Sequence, residues 1–354
     1  MALDQYYLLG RSGLRVSRLA LGTMNFGTGG FHAAYGKTED EARPVFRRYL
    51  DEGGNFVDTA DFYTAGESET ILGKLIAETN SRDRVVLTTK FTNSVDPADP
   101  NAGGNGRKHL IRALEASLRR LGTDYVDVFL LHTWDRITPV EEVVRTLDDL
   151  VRAGKIRYPG LSDVPSWYAA RAQSLTEAHS LAPMINLQLP YSLVERQIET
   201  EHVPMAQHLG LGVTAWSPLA GGVLTGKYRD GGTGRLSDGP SGTDRTPQVL
   251  EPLGKIAAEL GVTMAQVAIN WVATQPGIAA AIVGASSAGQ LGTSMAALDF
   301  EIPAELRSLL DEASAAPPAS VYRMFTPEYQ NWIVSPGLKI GDKPAGYAPA
   351  VRNW

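Results

Sequence analysis

The sequence predicts an α/β fold closed as a (β/α)8 barrel, and three observations predict it. Short apolar runs of about five residues, rich in Val, Ile, Leu and aromatics, alternate with amphipathic stretches along the chain. Eight such strand candidates are each followed by helical pattern, the sequence form of repeated βα units. The 354 residues suit one barrel of about 250 residues with insertions and a tail. An open doubly wound sheet is the alternative.

Taken in order, "YYLLGRSGLRVS" reads as an N-terminal hairpin turned at Gly10 to Gly13. The first barrel strand is "RLALGTM". Its helix is "TEDEARPVFRRYLDEGG", N-capped by Thr38 with Glu41 in the capping-box position and stopped by Gly53 and Gly54. Strand two is "NFVDTA", before the helical "ESETILGKLIAE". Strand three, "RVVLTTK", precedes "RKHLIRALEASLRRLG", where Leu and Ile recur at three-four spacing. Strand four, "YVDVFLLH", precedes "TPVEEVVRTLDDLVRAG", with Pro139 in the first turn and Gly154 at the stop. The remaining pairs are "IRYPGLS" with "SWYAARAQSLTEAH", "PMINLQL" with "VERQIETEHVPMAQHLG", and "GVTAWS" with "TMAQVAINWVATQ". "IAAAIVGAS" with "AGQLGTSMAAL" closes the series.

Two loops exceed ordinary connection length, residues 92–106 and 217–246. Both follow strands, on the face where barrels place their sites. The whole chain, 1–354, reads as one domain, with a barrel core over about 17–300 and a C-terminal helix and tail over 301–354. The tail beyond about 315 lacks helical period, yet "MFTPEYQNWIV" is apolar enough to be expected against the body.

Composition excludes several classes. A formal charge of −6 without any dense Lys/Arg run argues against a nucleic-acid surface. "SLRRLG" reads as a solvated helix end. Zero cysteines rule out a disulfide framework, a thiolate nucleophile and a zinc–thiolate site, and no metal centre is expected. Neither a leader pattern nor an apolar run of membrane-spanning length is legible, so the expected location is the cytoplasm.

The chemistry gathers at strand ends, which converge on one mouth of a barrel. Strand two ends in Asp58 with Tyr63 just beyond, strand three in Lys90, strand four in His132. Alone, each has a structural explanation: a turn cap, a loop aromatic, an exposed strand end, a core histidine. Asp61 reads as a cap or a solvated acid. Together, Asp58 can pair with Lys90, and the ammonium is expected to lower the Tyr63 pKa from about 10, making it a proton donor near neutral pH. His132 would hydrogen-bond a substrate carbonyl and stabilise charge on its oxygen. Such a donor needs a hydride source opposite it.

"DTADFY", "TTKF" and "LLHTW", with "LALGTM" before and "GLSD", "NLQLPYSL", "AWSPLAGGVLTGKY" and "IVGASS" after, resemble the aldo-keto reductases over about residues 6–316. The branch is similar to aryl-alcohol dehydrogenases and channel β-subunit-like reductases. The resemblance implies a barrel that binds NADPH, less readily NADH, across its C-terminal mouth, with Asp58, Tyr63, Lys90 and His132 as catalytic tetrad. By the same resemblance Gly22, Thr23, Met24 and Asp58 would line the nicotinamide ribose. Ser162 and Gln188 would hold the carboxamide, with Asp163 counted among the cofactor-binding residues without a fixed role; Trp216 would stack on the nicotinamide, and Ser217, Pro218, Leu219 and Gly221 would follow the pyrophosphate. Gly284, Ser286 and Gln290 would sit at the adenosine phosphate. Backbone N–H groups at Gly284, Ser286 and Ser287, between a strand and a helix, suit a phosphate on general grounds.

Three positions depart from the family pattern. Asp163 stands where Asn is common, and a carboxylate accepts without donating. Ser294 replaces an adenine-contacting Asn. No Arg follows Gly284, leaving Ser286, Lys227, Arg229 or Arg235 for a 2′-phosphate. The substrate pocket is expected from Phe26, Tyr63, Phe91, His132 and Trp134, suiting an aldehyde or ketone of moderate size, with aryl aldehydes as one class. Arg107 and Lys108 are compatible with a charged substrate and equally with a helix start. The alternatives are a specialised reductase of a keto-sugar nucleotide or polyketide-derived ketone, a nucleotide-sensing binding module with little turnover, and a barrel with a lost site, which the filled tetrad opposes. Oligomerisation is not readable.

Overall fold

A computed structural model describes residues 3–230, 246–316, 320–334, 336 and 337. The chain divides into two compact units, Met1–Ser314 and Ala315–Trp354.

In the first unit, a hairpin of β1 (Tyr6–Leu8) and β2 (Arg15–Ser17) precedes eight parallel strands. These are β3 (Leu19–Gly22), β4 (Phe56–Asp58), β5 (Val86–Phe91), β6 (Val126–Leu131), β7 (Ile156–Ser162), β8 (Asn186–Pro190), β9 (Gly212–Trp216) and β10 (Ile278–Val283). They pair in sequence order, and β10 returns to β3 through Leu21 opposite Val283, closing the barrel. The open sheet is excluded. Around the barrel lie α1 (Glu39–Asp51), α2 (Glu67–Glu78), α3 (Arg107–Leu121), α4 (Val140–Arg152), α5 (Ser166–Ala178), α6 (His202–Leu209), α7 (Thr246–Leu260), α8 (Met264–Ala273), α9 (Ala288–Met295) and α10 (Ala304–Ser314).

Local sequence explains the boundaries. Thr38 caps α1 and shares the expected capping box with Glu41. Two expectations are corrected. The stretch "VERQIETEHVPMAQHLG" is not one helix: a 3-10 turn at Gln197–Glu199 precedes α6, which starts at His202. Pro204, lacking an N–H, fits the first turn of this short helix but would break a longer one. Helix α7, hidden behind a Gly- and Pro-rich run and carrying Pro252, was not expected.

Strand alternation sorts the side chains. Inward, Ala20, Phe56, Val86, Val128 and Leu130 form a cluster with Leu9 and Val16 of the hairpin, which thereby floors the barrel. Arg11 N–H donates to Gly210 O at 2.7 Å, tying the hairpin turn to the start of β9. Outward, Val57, Leu87, Phe91, Phe129 and Leu131 pack with the helices. The inward parity that carries Phe56 and Val86 brings Asp58, Lys90, Ser162, Gln188 and Trp216 to the strand tops. Gly160 makes room within this interior, because a Cβ there would lie 2.5 Å from Leu130 Cδ2 and 2.7 Å from Asn186 O. Gly160→Ala is therefore expected to cost about 1–3 kcal/mol of stability through overpacking, read as a lowered unfolding midpoint in urea.

In the second unit, a 3-10 turn (Ser320–Phe325) precedes α11 (Pro327–Ile333), whose N-cap Thr326 accepts from Tyr329 N. The reading of the tail as lacking helix is corrected there. Among the described residues no single helix is long and apolar enough to cross a membrane.

Candidate active site

Lys90 organises the mouth. Its side chain is fully buried, and its ammonium donates to Asp58 Oδ1 at 2.6 Å, Thr59 O at 2.8 Å and the Tyr63 hydroxyl at 3.2 Å. Those three bonds use all three donors of an ammonium. The second Asp58 oxygen accepts from Gln188 Nε2 at 2.8 Å. Asp58 thus has the partner that a buried carboxylate requires.

Tyr63 is delivered by a strained turn. After it come Thr64 at φ 47° and Ala65 at φ 57°, left-handed conformations that cost energy for residues with a Cβ. Thr64 Oγ1 donates to Phe26 O at 2.6 Å and helps hold that turn. His132 follows β6, its backbone N–H donating to Phe91 O at 2.9 Å and its ring meeting Tyr63 edge-on at 5.8 Å. The Phe62 ring flanks both.

The electrostatics correct one expectation. Burial pushes the Tyr63 pKa above its ordinary value, outweighing the opposing pull of the Lys90 charge. Tyr63 is therefore a protonated phenol at neutral pH, and the ammonium eases formation of its anion only when the proton is given up. Burial works against the Lys90 charge too, but the Asp58 charge and the hydrogen bonds that the ammonium donates to Asp58 and Tyr63 leave its pKa raised. His132 is pushed well below the usual histidine range by burial and by Lys90, so its imidazole is neutral. Its Nδ1 is enclosed without a partner among the described residues.

Asp61 is neither a cap nor solvated. It is 2% exposed, and among the described residues neither carboxyl oxygen meets a hydrogen-bond partner within bonding geometry. Burial, then the Glu69 charge, lifts its pKa to about 8.

The residues expected around a cofactor divide. Gly22, Thr23, Ser162, Gln188 and Trp216 stand at the strand tops beside Asp58. Thr23 is committed internally, its hydroxyl bonding Asp58 O at 3.0 Å and Ser68 Oγ at 2.9 Å, while Met24 is half-buried. Ser162 is 1% exposed, and its hydroxyl has no partner among the described residues. Trp216 is 37% exposed, and its indole N–H donates to Asp163 Oδ1 at 3.0 Å. Ser217, Pro218, Leu219 and Gly221 form the turn beyond β9, where Gly221 N donates to Ser217 Oγ at 3.2 Å. Lys227 is exposed nearby.

At β10, Gly284, Ser286 and Gln290 are exposed. Ser286 N–H is taken by Gln290 Oε1 at 2.7 Å, and Ser287 Oγ caps α9 through Gln290 N. A phosphate there would displace the Gln290 amide. Ser294 turns inward from α9, and Arg235 lies outside the described residues.

Two expected substrate residues are fully buried. Phe91 has the opposite strand parity to Lys90 and stacks outside the barrel on Phe129, with ring centres 5.0 Å apart. Phe26 is fully buried in the same outer core. Trp134 is half-buried and meets Trp167 edge-on at 5.4 Å, with Tyr168 beside both. Trp167, 57% exposed at the start of α5, was not expected. Its position in "SDVPSW", one turn past a strand end, is the signal that would have found it. Arg107 is spent as a helix start, its side chain paired with Asp149 at 2.6 Å.

A closed parallel barrel with a buried Lys–Asp–Tyr cluster at its C-terminal mouth points to a class, and the chain belongs to it: the aldo/keto reductase family, whose profile matches residues 18–315. It is an oxidoreductase. It is 37% identical to the "Uncharacterized oxidoreductase YrpG" of Bacillus subtilis, over 93% of this chain and 100% of that protein. It is 38% identical to a "Probable voltage-gated potassium channel subunit beta" of Oryza sativa, over 88% of this chain and 96% of that one. It is 32% identical to the "Aryl-alcohol dehydrogenase GME11368" of Pestalotiopsis microspora, over 82% and 77%.

Proposed function

We propose that this protein reduces an aldehyde or ketone to the alcohol with NADPH, Tyr63 acting as proton donor. The observation that carries the reading is the Lys90 ammonium, bonded at once to Asp58 and to the Tyr63 hydroxyl beside a neutral imidazole. Family membership supports a nicotinamide cofactor. The residues present fit one: Ser162 offers a buried hydroxyl without a partner among the described residues, and Trp216 offers a partly open indole face on the same rim.

When bound, NADPH supplies the hydride. The chain's own residues do the rest. His132, uncharged, donates to the substrate carbonyl oxygen and holds it near Tyr63. Tyr63 passes its proton to that oxygen, and Lys90 stabilises the phenolate left behind. Asp58, bonded by Gln188, keeps the ammonium charged and in place. Ser162 and Gln188 orient the carboxamide, and Lys227 and Ser286 take the 2′-phosphate that distinguishes NADPH from NADH.

The aromatic wall of Trp134 and Trp167 favours aryl carbonyls, and a relative carries the name aryl-alcohol dehydrogenase. The test is loss of reduced-nicotinamide absorbance with NADPH and with NADH across aromatic, aliphatic and keto-sugar carbonyls. NADPH-dependent turnover, fastest on aryl substrates, is expected. Tight cofactor binding with no turnover on any carbonyl would instead favour a nucleotide-sensing role, the reading suggested by the relative named as a channel subunit.

A further inference from the structure

Asp163 is the least explained residue of the mouth. Its backbone sits at φ 46°, a left-handed conformation in which Asn and Asp are the best tolerated residues after glycine. Three bonds pin it there. Its N–H donates to Gln188 O at 3.2 Å, and its carbonyl accepts from Trp134 N at 3.3 Å and Thr133 Oγ1 at 3.4 Å. The tops of β6, β7 and β8 are thus joined at one residue. From that anchor the carboxylate reaches across to β9 and accepts the Trp216 indole N–H.

We propose that Asp163 is a positioning residue, its carboxylate fixing the Trp216 indole in one orientation so that the open face is preset for a flat ring. That ring is the nicotinamide, and to this extent the inference rests on the functional reading above. A carboxylate is the better clamp for a donor-only indole. Both of its oxygens accept, whereas an amide in the same place presents an acceptor on one side and a competing donor on the other. The departure from Asn at this position then has a physical purpose.

The clamp carries its own signature. Burial raises the Asp163 pKa to about 6, against the lowering effects of the Trp216 bond and the Lys90 charge. The other groups facing it do not change charge in that range. Lys90 stays protonated against Asp58, Tyr63 stays a neutral phenol, and His132 stays neutral until well below its usual range. Above about 6 the indole bonds an anion. Below it the acceptor is a neutral carboxyl, and the bond weakens.

Two measurements on the full chain test this. In the cofactor-free protein with labelled tryptophan, the Trp216 indole N–H resonance, assigned by its loss in Trp216→Phe, should titrate with a midpoint near 6. That titration should vanish in Asp163→Asn, which keeps the left-handed backbone. A Trp216 resonance indifferent to pH, or titrating equally in Asp163→Asn, would overturn the clamp whatever the cofactor. The second measurement is the NADPH dissociation constant. Asp163→Ala should weaken binding about tenfold when Trp216 is present and hardly at all in a Trp216→Phe background. Equal losses in both backgrounds would make Asp163 a direct ligand contact and sink the positioning role. If the wild type binds no nicotinamide nucleotide, the functional reading falls, and the resonance titration still decides whether the clamp exists.

Discussion

Tyr63→Phe is expected to lower carbonyl reduction by about 10²–10⁴-fold while leaving NADPH affinity within a factor of a few. The size follows from what is removed. Phenylalanine keeps the ring in its slot between Phe62 and His132, and Lys90 keeps its bonds to Asp58 and Thr59 O, so only the transferable proton is lost. An interaction used only as the proton moves shows in kcat, not in cofactor binding. The pH dependence separates this acid from one poised at neutrality. Because burial holds the Tyr63 pKa above its ordinary value, the phenol stays protonated, and reduction should be flat through neutral pH, falling only above about pH 10. Alcohol oxidation needs the phenolate as base, so its rate should climb as pH rises towards that value. Substantial activity in Tyr63→Phe, or a loss of reduction centred near pH 7 and attributable to Tyr63, would remove it as the proton donor.

The barrel was legible because every strand showed an apolar run, and several, such as the first and fourth, were followed by a helix with readable start and stop chemistry. The grouping of ionisable residues at the mouth was legible for a related reason. Residues that end consecutive barrel strands meet in space, so Asp58, Lys90 and His132 could be joined before any coordinates. What stayed hidden depends on side-chain direction and dielectric. Phe91 is adjacent in sequence to Lys90 yet points the other way, because successive strand residues face opposite sides. Asp61 looked like a turn residue, and nothing local says that it is enclosed beside Glu69. The sign of the Tyr63 shift turned on burial overcoming a neighbouring cation, and burial is set by the packed mouth rather than by any motif. Trp167 was missed because a tryptophan in the first turn of a helix is ordinarily core or surface. Only its contact with Trp134 marks it as part of a wall.

The second large effect concerns stability. Lys90→Met should destabilise the fold by roughly 3–5 kcal/mol, because it leaves Asp58, with a side chain 4% exposed, without its buried cationic partner and with the Gln188 amide on its other oxygen. Methionine fills the space of the lysine stem, so packing contributes little to the loss. Pairing the change with Asp58→Asn should restore much of the stability, since it removes the uncompensated buried charge that makes a broken pair costly. Denaturant unfolding of the wild type, both single variants and the double variant closes the cycle. Linkage fixes where the Lys90 contribution operates. With its folded pKa raised, that contribution is fully present below the unfolded lysine value of about 10.4 and is lost as pH rises through the folded value. It should therefore be constant across neutral pH, and a cycle energy that fades between pH 6 and pH 8 would contradict a charged Lys90. The double variant should be as inactive as either single one even where its stability recovers. A folded but inactive double variant would show that the barrel does not need this charged pair for stability, which is the outcome the proposed proton chemistry at the mouth requires.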